Sequence, residues 1–530
     1  MVYIFDIIIV VRHFIKILLL LISSASLAAV NVNNGNFFVS YTDFIFKSNG
    51  LNIQATRTYN SRSNYVKGLF GIGWSSNLES FLRIEKNNIL YFEGGGGNQV
   101  KFIGKGKVFS SKSFGENSLK FDGKLYNLKL ATGNIQTFNK KGLLIKEQDS
   151  NGSFYEFIYK DGALSGIKDN LGNQLGIQVK KFGGFNRVTR ISIEDQVASY
   201  SYSKNGKLLT ALNSLAAKYS YSYDDEFNMT KISFGDGSFM EMAYNKYRDW
   251  VISFRDYDGT LTKYDYYADK LDPELKFGTN VSRKIAGKAK TENSKFWYEF
   301  KKRSNGTQYN YRSLSLLNNV VTETIYTECC GTPLVISQWN VGKKINFSKK
   351  NLAWTQSSGN KNNTRFEYFK DGLLKRKIYD SGRITELTYE PKMRKIASIT
   401  TDGAKVSYNY DRTGNLVKVN DSANNSAISI NYDSKGLISN IIEKKKNVLS
   451  NNLNIRYDLQ GRPVEIKSKN KQSPGNIFLK YTKTGDLLGI VNSKGERFSS
   501  ADEIKRAQTV ASSFQNLLSL VQPKGLDLTP

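Results

Sequence analysis

The stretch Tyr410-Asp411-Arg412-Thr413-Gly414-Asn415-Leu416 decides the fold, because it is the fullest copy of a phrase that recurs along the chain. The phrase consists of Tyr, often Asp, two residues, Gly, one further residue and an aliphatic residue. The tyrosines at 202, 223 and 244 are 21 residues apart, as are those at 368, 389 and 410, and the later intervals are 22, 25 and 24 residues. Such a period indicates one supersecondary unit repeated in tandem. Shorter or altered copies begin at Tyr159, Tyr202, Tyr223, Tyr368, Tyr432, Tyr457 and Tyr481.

Each repeat is predicted to be a β-hairpin. Before the tyrosine, apolar and polar residues alternate, as at Val406, Tyr408 and Tyr410, which is typical of a strand with one packed face. The Asp-x-x-Gly that follows predicts a turn in which Gly supplies a positive φ, and a second short strand such as 416–419 comes next. The sequence therefore predicts an all-β protein, with tandem hairpins forming one long spiralling sheet that curls or closes into a shell with tyrosine rings on its inner wall. A stacked solenoid or a set of β-sandwiches is the alternative, and the regular period disfavours sandwiches.

The N-terminal segment has the three-part pattern of a secretory signal peptide. Arg12 and Lys16 precede the apolar run 17–22, and mostly small residues follow it. Cleavage after Ala28 is predicted, so that residues 1–28 are removed and the mature chain is exported. An uncleaved N-terminal anchor is the alternative, although the apolar run is short for a membrane span.

The chain is strongly basic, with 76 Lys and Arg against 47 Asp and Glu and a formal net charge of +29 at pH 7. Removal of residues 1–28 leaves a formal charge near +28, because Arg12, Lys16 and Asp6 are lost. This charge favours polyanionic partners, and after export these are acidic envelope polymers rather than nucleic acid. Lysine-rich solvated strand faces are the alternative explanation. The densest basic cluster, Lys270 to Arg303, is predicted to be an exposed loop.

The sequence offers little for acid–base or metal chemistry. Its one histidine, His13, lies in the predicted signal peptide, so Ser-His-Asp catalysis, Cys-His catalysis and histidine-ligated metals are not expected in the mature chain. The two cysteines, Cys329 and Cys330, are adjacent and fit a structural turn. A strained vicinal disulfide and, more weakly, a metal site are the alternatives for this pair.

Carboxylates are the remaining candidates for catalysis, because a glycosidase needs only two Asp or Glu residues at a set separation. Most Asp residues, however, occupy turn positions, where their side chains accept hydrogen bonds from nearby backbone N–H groups. This holds for the cluster Asp224-Asp225-Glu226 and for Asp236-Gly237 and Asp258-Gly259. The glycines Gly94 to Gly97 predict a turn between two strands rather than a phosphate-binding loop. We therefore predict no catalytic, cofactor-binding or metal-binding residue, and no cofactor.

The repeat resembles the YD repeat of bacterial RHS proteins, a family related to wall-associated repeat proteins, insecticidal toxin-complex components and animal teneurins. A second segment is similar to the region that opens the repeat body of RHS proteins. Together the two regions of resemblance cover most of residues 35–495. The resemblance implies a spiralling β-sheet that often closes into a cocoon. The N-terminal motifs are Gly35-Asn36-Phe37 through Asp43-Phe44, Arg57-Thr58-Tyr59-Asn60-Ser61-Arg62-Ser63 and Gly68-Leu69-Phe70-Gly71-Ile72-Gly73-Trp74-Ser75.

The chain departs from RHS toxins after its last repeat. No Asp-Pro-x-Gly segment follows Tyr481, and the residues after Gly495 are too few for a nuclease or deaminase, so neither self-cleavage nor a toxin cargo is predicted. Residues 501–521 instead predict one amphipathic helix. Its common apolar side is formed by Ile504, Val510, Phe514, Leu517, Leu518 and Val521. The predicted division is a signal peptide (1–28), an N-terminal region opening the β body (29–150), repeats (151–267), an irregular or inserted β region (268–367), repeats (368–498) and a C-terminal helix and tail (499–530).

The expected function is that of an exported, non-enzymatic scaffold at the cell surface, in the periplasm or outside the cell. It would act in adhesion or envelope interaction, with exposed Tyr stacking on sugars and Lys pairing with acidic groups. The alternative is a shell or delivery component of a toxin or contact-dependent system that receives a separately encoded toxin or partner. A carboxylate glycosidase is a remote alternative. Membrane contact is expected only through an uncleaved N-terminal segment.

Overall fold

The computed structural model of the chain describes residues 27–496, except for short segments, together with Val510. Three predicted features lie outside the described residues: most of the signal peptide 1–28, the Cys329-Cys330 pair, and the C-terminal helix apart from Val510. The excepted segments are 47–52, 64–66, 87, 96–98, 112–116, 131–132, 150–151, 304–305, 307, 329–332, 340–341, 348–352, 359–361, 371–372, 435, 459–461, 470–474 and 482–486.

The N-terminal region forms a four-stranded antiparallel sheet and a small two-stranded ribbon. The strands are β1 (Leu27–Asn31), β2 (Asn36–Phe46), β3 (Ile53–Asn60), β4 (Lys67–Gly68), β5 (Gly71–Ile72) and β6 (Trp74–Ser76). The sheet has the order β1-β2-β3-β6, and the ribbon is β4-β5. Burial alternates along β3, as expected for a strand that packs one face against a core. Short 3₁₀ turns at Ser61–Ser63 and Asn77–Glu79 follow β3 and β6.

All later strands belong to one continuous sheet, in which each strand pairs antiparallel with the next along the chain. The first part contains β7 (Phe81–Ile84), β8 (Asn88–Phe92), β9 (Gln99–Lys105), β10 (Val108–Ser110), β11 (Ser118–Phe121), β12 (Tyr126–Lys129), β13 (Ile135–Phe138), β14 (Leu144–Gln148), β15 (Phe154–Lys160), β16 (Ala163–Asp169), β17 (Gln174–Phe182), β18 (Phe185–Ile193), β19 (Gln196–Tyr202), β20 (Leu208–Leu212), β21 (Lys218–Tyr223), β22 (Met229–Phe234), β23 (Phe239–Tyr244) and β24 (Val251–Arg255).

The middle part of the sheet contains β25 (Leu261–Ala268), β26 (Lys276–Lys284), β27 (Thr291–Lys302), β28 (Gln308–Leu317), β29 (Val320–Tyr326) and β30 (Pro333–Gln338), which we call the bridge strands. The last part contains β31 (Lys343–Phe347), β32 (Ala353–Ser358), β33 (Asn362–Tyr368), β34 (Leu374–Tyr379), β35 (Ile384–Tyr389), β36 (Ile396–Thr401), β37 (Ala404–Tyr410), β38 (Leu416–Asp421), β39 (Ser426–Tyr432), β40 (Ile438–Lys445), β41 (Val448–Tyr457), β42 (Pro463–Ser468), β43 (Gly475–Tyr481) and β44 (Leu487–Val491). The residues predicted as an irregular or inserted region, 268–367, therefore pair into the same sheet as the repeats on either side.

The repeat unit is a hairpin, as predicted. Tyr410 ends β37 and pairs with Leu416 at the start of β38. Between them Gly414 has a φ of 84°, which an L side chain adopts only with strain. The Asp411 carboxylate accepts the backbone N–H groups of Thr413 and Asn415, each at 2.9 Å. The phrase that recurs in the sequence is therefore one strand end, one turn and one strand start.

The sheet curls strongly at its beginning. The N–H of Leu82 in β7 donates to the carbonyl of Gly142 at 2.8 Å, and Phe81 forms a β-bridge with Leu143. These residues lie at the turn that enters β14, so the edge of β7 meets the sheet again after β8 to β13. Curling of this kind gives the sheet a concave side that can enclose a core.

Two separate hydrophobic cores lie on the sheet. In the first, the N-terminal sheet packs through residues such as Phe37 and Trp74 against strands up to β24. The second is formed by β33 to β43 together with Val510. Among the described hydrophobic side chains of the bridge strands, none is fully buried. Among the described residues, the bridge strands thus join the two cores without a buried hydrophobic cluster of their own.

The prediction of an exposed loop across Lys270 to Arg303 is wrong. Most of this stretch lies in β26 and β27, which are among the long strands of the sheet. Lys276, Lys284 and Lys295 lie on one face of β26 and β27, whereas Lys270, Lys288 and Lys290 lie in the segments that connect the strands.

Candidate functional site

The repeat carboxylates are used to close turns. Burial raises the pKa of Asp411, but hydrogen bonds from Thr413 and Asn415 outweigh it and leave that pKa below its usual value. Asp224 likewise accepts the N–H of Asn228 at 2.7 Å, within the acidic cluster noted in the sequence. An Asp held in this way is a turn anchor, and it is poorly suited to donate a proton to a substrate.

The repeat tyrosines use their hydroxyls in the same structural manner. The hydroxyl of Tyr432 donates to the carbonyl of Leu416, the first residue of the preceding strand, at 2.9 Å. Burial raises the pKa of Tyr432 to about 12, so the hydroxyl remains a donor. Equivalent bonds reach the first residue of the preceding strand from Tyr159, Tyr244, Tyr266, Tyr389, Tyr410, Tyr457 and Tyr481, at 2.7–2.9 Å.

A buried ion pair fastens the N-terminal sheet to the first core. The Arg57 guanidinium of β3 bonds to the carboxylate of Asp43 in β2, and their side chains are 0% and 1% exposed. The hydroxyl of Tyr200 in β19 donates to the same carboxylate at 3.0 Å. The guanidinium also lies 4.5–5.7 Å from four ring centroids, which we call the aromatic box: Tyr41, Trp74, Tyr219 and Tyr221. Since these groups are inaccessible, they hold the fold together and are unavailable to a ligand.

A second polar contact holds the β4-β5 ribbon against β18. The carboxylate of Glu79 accepts the N–H of Leu69, and Arg187 donates to the carbonyl of Gly68. One carboxylate oxygen of Glu79 is buried and has no hydrogen-bond partner. Burial raises the pKa of Glu79 to about 7, although the Leu69 N–H and nearby Arg187 lower it. The ribbon is therefore clamped by a carboxyl group that titrates near neutral pH.

An accessible aromatic pair lies on the bridge strands, on the side opposite the core. Tyr267 of β25 pairs with Gly278 of β26, which pairs with Trp297 of β27, so all three lie on one face. The two rings have centroids 5.8 Å apart and planes inclined by 26°, and Tyr267 is 38% exposed. Glycine is required between them, because a Cβ at Gly278 would lie 2.6 Å from the Tyr267 ring. The two rings thus lie together on this face, and we call the pair the platform.

Both cationic and acidic side chains share the face of the platform. Lys263, Lys276 and Lys295 lie on it by register, and none of the three forms an ion pair within the described part of the chain. Asp265 and Glu299 lie on the same face, and the indole N–H of Trp297 donates to the Glu299 carboxylate at 3.1 Å. Arg312 differs, because it binds the carboxylates of both Glu299 and Glu323 at 3.2 and 2.6 Å. An aromatic pair beside lysines that form no ion pair suits a ligand that has apolar ring faces and negative charge.

A groove with a second group of lysines crosses β37 to β40. It has a volume of about 540 Å³ and is lined by Lys405, Lys444 and Lys446, by the carboxylate of Asp421, and by hydroxyl and amide side chains that include Ser407 and Asn420. These residues offer charge and hydrogen bonds but no aromatic ring. The groove therefore provides a charge-only counterpart to the platform.

The sequence did not predict the platform. Its residues come from three strands, and only strand register brings Tyr267, Gly278 and Trp297 together. The one local signal was the alternation of aromatic residues in 264–267 and 296–300. Within the described ranges no cluster of three metal-ligating side chains occurs, and none of the helical residues described forms a segment long and apolar enough to cross a membrane.

The fold is that of an all-β repeat protein. A family model described as a domain of unknown function (DUF6531) matches residues 28–102, which hold the N-terminal sheet and the first strands of the long sheet. No curated protein matches the chain.

Three solved structures of toxin complexes are similar to the chain. They are the Tc holotoxin pore of Photorhabdus luminescens (11% identity, TM-score 0.42, covering 85% of this chain and 27% of that one), the TcdB2–TccC3 complex (10%, 0.42, 85% and 28%) and TcdB2–TccC3–Cdc42 (12%, 0.43, 85% and 27%). The chain thus spans little more than a quarter of the length of these proteins.

Proposed function

We propose that this protein is an exported, non-enzymatic β-scaffold that binds an acidic glycan of the cell envelope. The observation that carries the proposal is the platform, where Tyr267 and Trp297 lie beside Lys263, Lys276 and Lys295 on an accessible face. Sugar rings present C–H faces that pack on aromatic rings, and uronic acid carboxylates attract lysine. Export is inferred from the N-terminal segment, and the net charge of +29 favours such polymers generally.

The absence of catalysis is inferred from the roles of the carboxylates. The repeat Asp residues anchor turns, and Glu299 and Glu323 near the platform are both bound to Arg312. Asp265, on the face of the platform, accepts the side-chain amide of Asn280 at 3.2 Å. A glycosidase needs one free carboxylic acid and one carboxylate on either side of a glycosidic bond. Release of sugars from any polymer by the purified protein would overturn this part of the proposal.

Binding of alginate and polygalacturonate, with neutral dextran as the control polymer, tests the proposal. We expect binding to the acidic polymers that weakens as salt rises, because lysine–carboxylate attraction is screened. The double variant Tyr267→Ala/Trp297→Ala should weaken it at least about tenfold, the loss expected when central aromatic contacts are removed. Trp339→Ala is the matched control, because Trp339 is 56% exposed and lies after β30, outside the strands β25 to β27 that carry the platform.

Lysine variants in the groove at β37 to β40 distinguish specific binding at the platform from general attraction of acidic polymers by net charge. If Lys405→Ala/Lys444→Ala/Lys446→Ala reduces binding as much as Lys263→Ala/Lys276→Ala/Lys295→Ala, net charge is the cause and the platform is not the site. If no acidic polymer binds at low salt, the proposed function is wrong.

A second candidate function is a shell or delivery component that takes a separately encoded protein. It is favoured by the core side of the bridge strands, where the part-exposed ring of Phe277 has its centroid 5.8 Å from that of Tyr298 and 5.4 Å from that of Phe300. Native mass spectrometry of the protein purified from its own host tests this role. A stoichiometric second polypeptide would support it, and the bare chain mass would count against it.

A further inference from the structure

Two exposed aliphatic side chains lie beside the lysine groove that crosses β37 to β40. Val448 and Leu449 are the first residues of β41, and they are 69% and 47% exposed. The turn that precedes them consists of Lys446 and Asn447, which both line the groove. Exposed apolar side chains that are grouped within a polar rim mark interaction sites on soluble proteins.

The turn between β40 and β41 fixes the position of this aliphatic pair. Lys446 and Asn447 have φ values of 48° and 64°, the left-handed backbone that a two-residue hairpin turn requires. The N–H of Lys446 donates to the carbonyl of Asn425 at 2.8 Å, which joins this turn to the one between β38 and β39. The aliphatic pair is therefore held next to the groove.

The groove lies on the face of the sheet opposite the second core. Asn420, Ala427 and Lys444 pair with one another across β38 to β40 and line the groove. Val419 and Ile428, which precede Asn420 and follow Ala427, are buried in the core. The groove is therefore open to a partner that approaches this face from outside.

The groove carries positive charge that no ion pair neutralises. Its three lysines, Lys405, Lys444 and Lys446, form no ion pair within the described residues. The Asp421 carboxylate in the lining is already used, because it accepts the N–H of Ala423 at 3.0 Å and the side-chain amide of Asn424 at 2.7 Å. The lysines therefore remain available to a phosphate group.

We propose that the groove and the aliphatic pair together dock the protein on a bilayer that contains anionic phospholipid. The phosphodiester of one headgroup lies among the lysines and accepts hydrogen bonds from neighbouring hydroxyl and amide groups, while Val448 and Leu449 enter the boundary between headgroups and acyl chains. Lysines alone suit any polyanion, but the aliphatic side chains gain free energy only from an apolar partner, and an anionic bilayer offers both.

This membrane contact is independent of two other features of the protein. It does not use the N-terminal segment. It also does not depend on glycan binding, because the platform lies on β25 to β27.

Cosedimentation of the full-length protein with vesicles tests the role of the lysines. We expect binding to phosphatidylcholine vesicles that contain phosphatidylglycerol, and much weaker binding to phosphatidylcholine alone. Lys405→Ala/Lys444→Ala/Lys446→Ala should weaken binding at least about tenfold, since each lysine near an anionic surface contributes roughly fivefold. The control variant Lys168→Ala/Lys180→Ala/Lys181→Ala removes the same charge from exposed positions of β16 and β17 and should change binding by about twofold at most. Equal losses in the two variants, or equal binding to both kinds of vesicle, would overturn the proposal.

A second pair of variants tests the aliphatic contribution. Val448→Ser/Leu449→Ser should weaken vesicle binding at least about tenfold and leave Tm unchanged, because both side chains are exposed. Leu171→Ser/Leu271→Ser is the matched control, since these leucines are 54% and 96% exposed on other turns. Full vesicle binding by Val448→Ser/Leu449→Ser would contradict membrane docking.

Two competition experiments separate a membrane from other anionic ligands. Glycerol phosphate in solution should bind far more weakly than the vesicles, because it offers no apolar partner to the aliphatic pair. Equal affinity would assign the groove to free phosphate and overturn docking. Displacement of bound vesicles by alginate from the platform variant Tyr267→Ala/Trp297→Ala would assign the groove to acidic glycan and would likewise overturn it.

Discussion

Two residues stand in turn positions that glycine fills in other repeats. Ala216 and Phe227 have φ values of 61° and 70°, close to the 84° of Gly414. Asn213 closes the Ala216 turn by accepting the N–H of Ala217, as Asp411 does in its own turn. An L side chain in this left-handed region costs about 1 kcal/mol relative to glycine. The turn geometry of the repeat therefore persists where its sequence has changed.

Replacement of Ala216 by glycine should stabilise the protein. Ala216 is exposed, so the substitution removes backbone strain without opening a cavity, and the expected gain is about 0.5 kcal/mol after the added freedom of the unfolded chain. Gly382→Ala is the reverse test, because Gly382 has a φ of 83° and open space around it. It should lose about 1 kcal/mol. Urea denaturation of both variants measures the difference, and equal signs would contradict the turn argument.

Glu79 should make stability depend on pH. Burial raises its pKa to about 7, so the folded chain binds this proton more tightly than the unfolded chain does. The stabilisation is fully present below about pH 4.5 and is lost as the pH rises through about 7, with a difference of at most about 3 kcal/mol. Glu79→Gln should therefore raise the free energy of unfolding at pH 8 and change it little at pH 4.5.

Urea denaturation from pH 4.5 to pH 8 is the measurement for Glu79. Glu226→Gln is the control, because Glu226 is an exposed carboxylate in a repeat turn. The burial argument fails if both variants keep the pH dependence of the wild-type protein.

Between neighbouring strands, the recurring contact is the hydrogen bond from a repeat tyrosine hydroxyl to the first carbonyl of the preceding strand. Tyr432→Phe removes the bond to the Leu416 carbonyl but keeps the ring in place. The expected loss is about 1 kcal/mol, the usual net value of a part-buried hydrogen bond. Tyr247→Phe should be neutral, because Tyr247 is 92% exposed. Thermal denaturation compares the two variants, and equal shifts in Tm would show that the Tyr432 hydrogen bond contributes nothing to stability.

The hairpins were predictable from sequence, because alternation before Tyr410 and the turn residues Asp411 and Gly414 are local signals. The bridge strands were harder to predict, because 270–303 carries many lysines and lacks the repeat phrase. Strand pairing there depends on register with β25 and β28, which no local pattern states. The platform was missed for the same reason: Tyr267 and Trp297 are 30 residues apart in sequence and adjacent only across strands.

On the scale of the whole molecule, the two hydrophobic cores stabilise separate parts of the long sheet. The first core includes residues of the N-terminal sheet, which comes before the long sheet in the chain. The second core contains Val510, which comes after the last strand of the long sheet. The bridge strands between them are held by strand pairing and part-exposed contacts such as Phe277 with Phe300. Because no buried cluster spans both halves in the described residues, damage to one core should leave the other protected.

Arg57 provides the sharpest test of that independence. Arg57→Met leaves the Asp43 carboxylate buried without its cation, which should cost about 3–5 kcal/mol. Arg312→Met is the matched control, because Arg312 is 28% exposed and its loss should cost about 1 kcal/mol or less. Hydrogen exchange should accelerate in β19 to β24 of Arg57→Met and remain slow in β38 to β43.

Adding Asp43→Leu to Arg57→Met should recover part of the lost free energy of unfolding, since the uncompensated charge is then gone. Equal acceleration in both halves would mean that the molecule unfolds as one unit, and that the bridge strands transmit stability between the two cores.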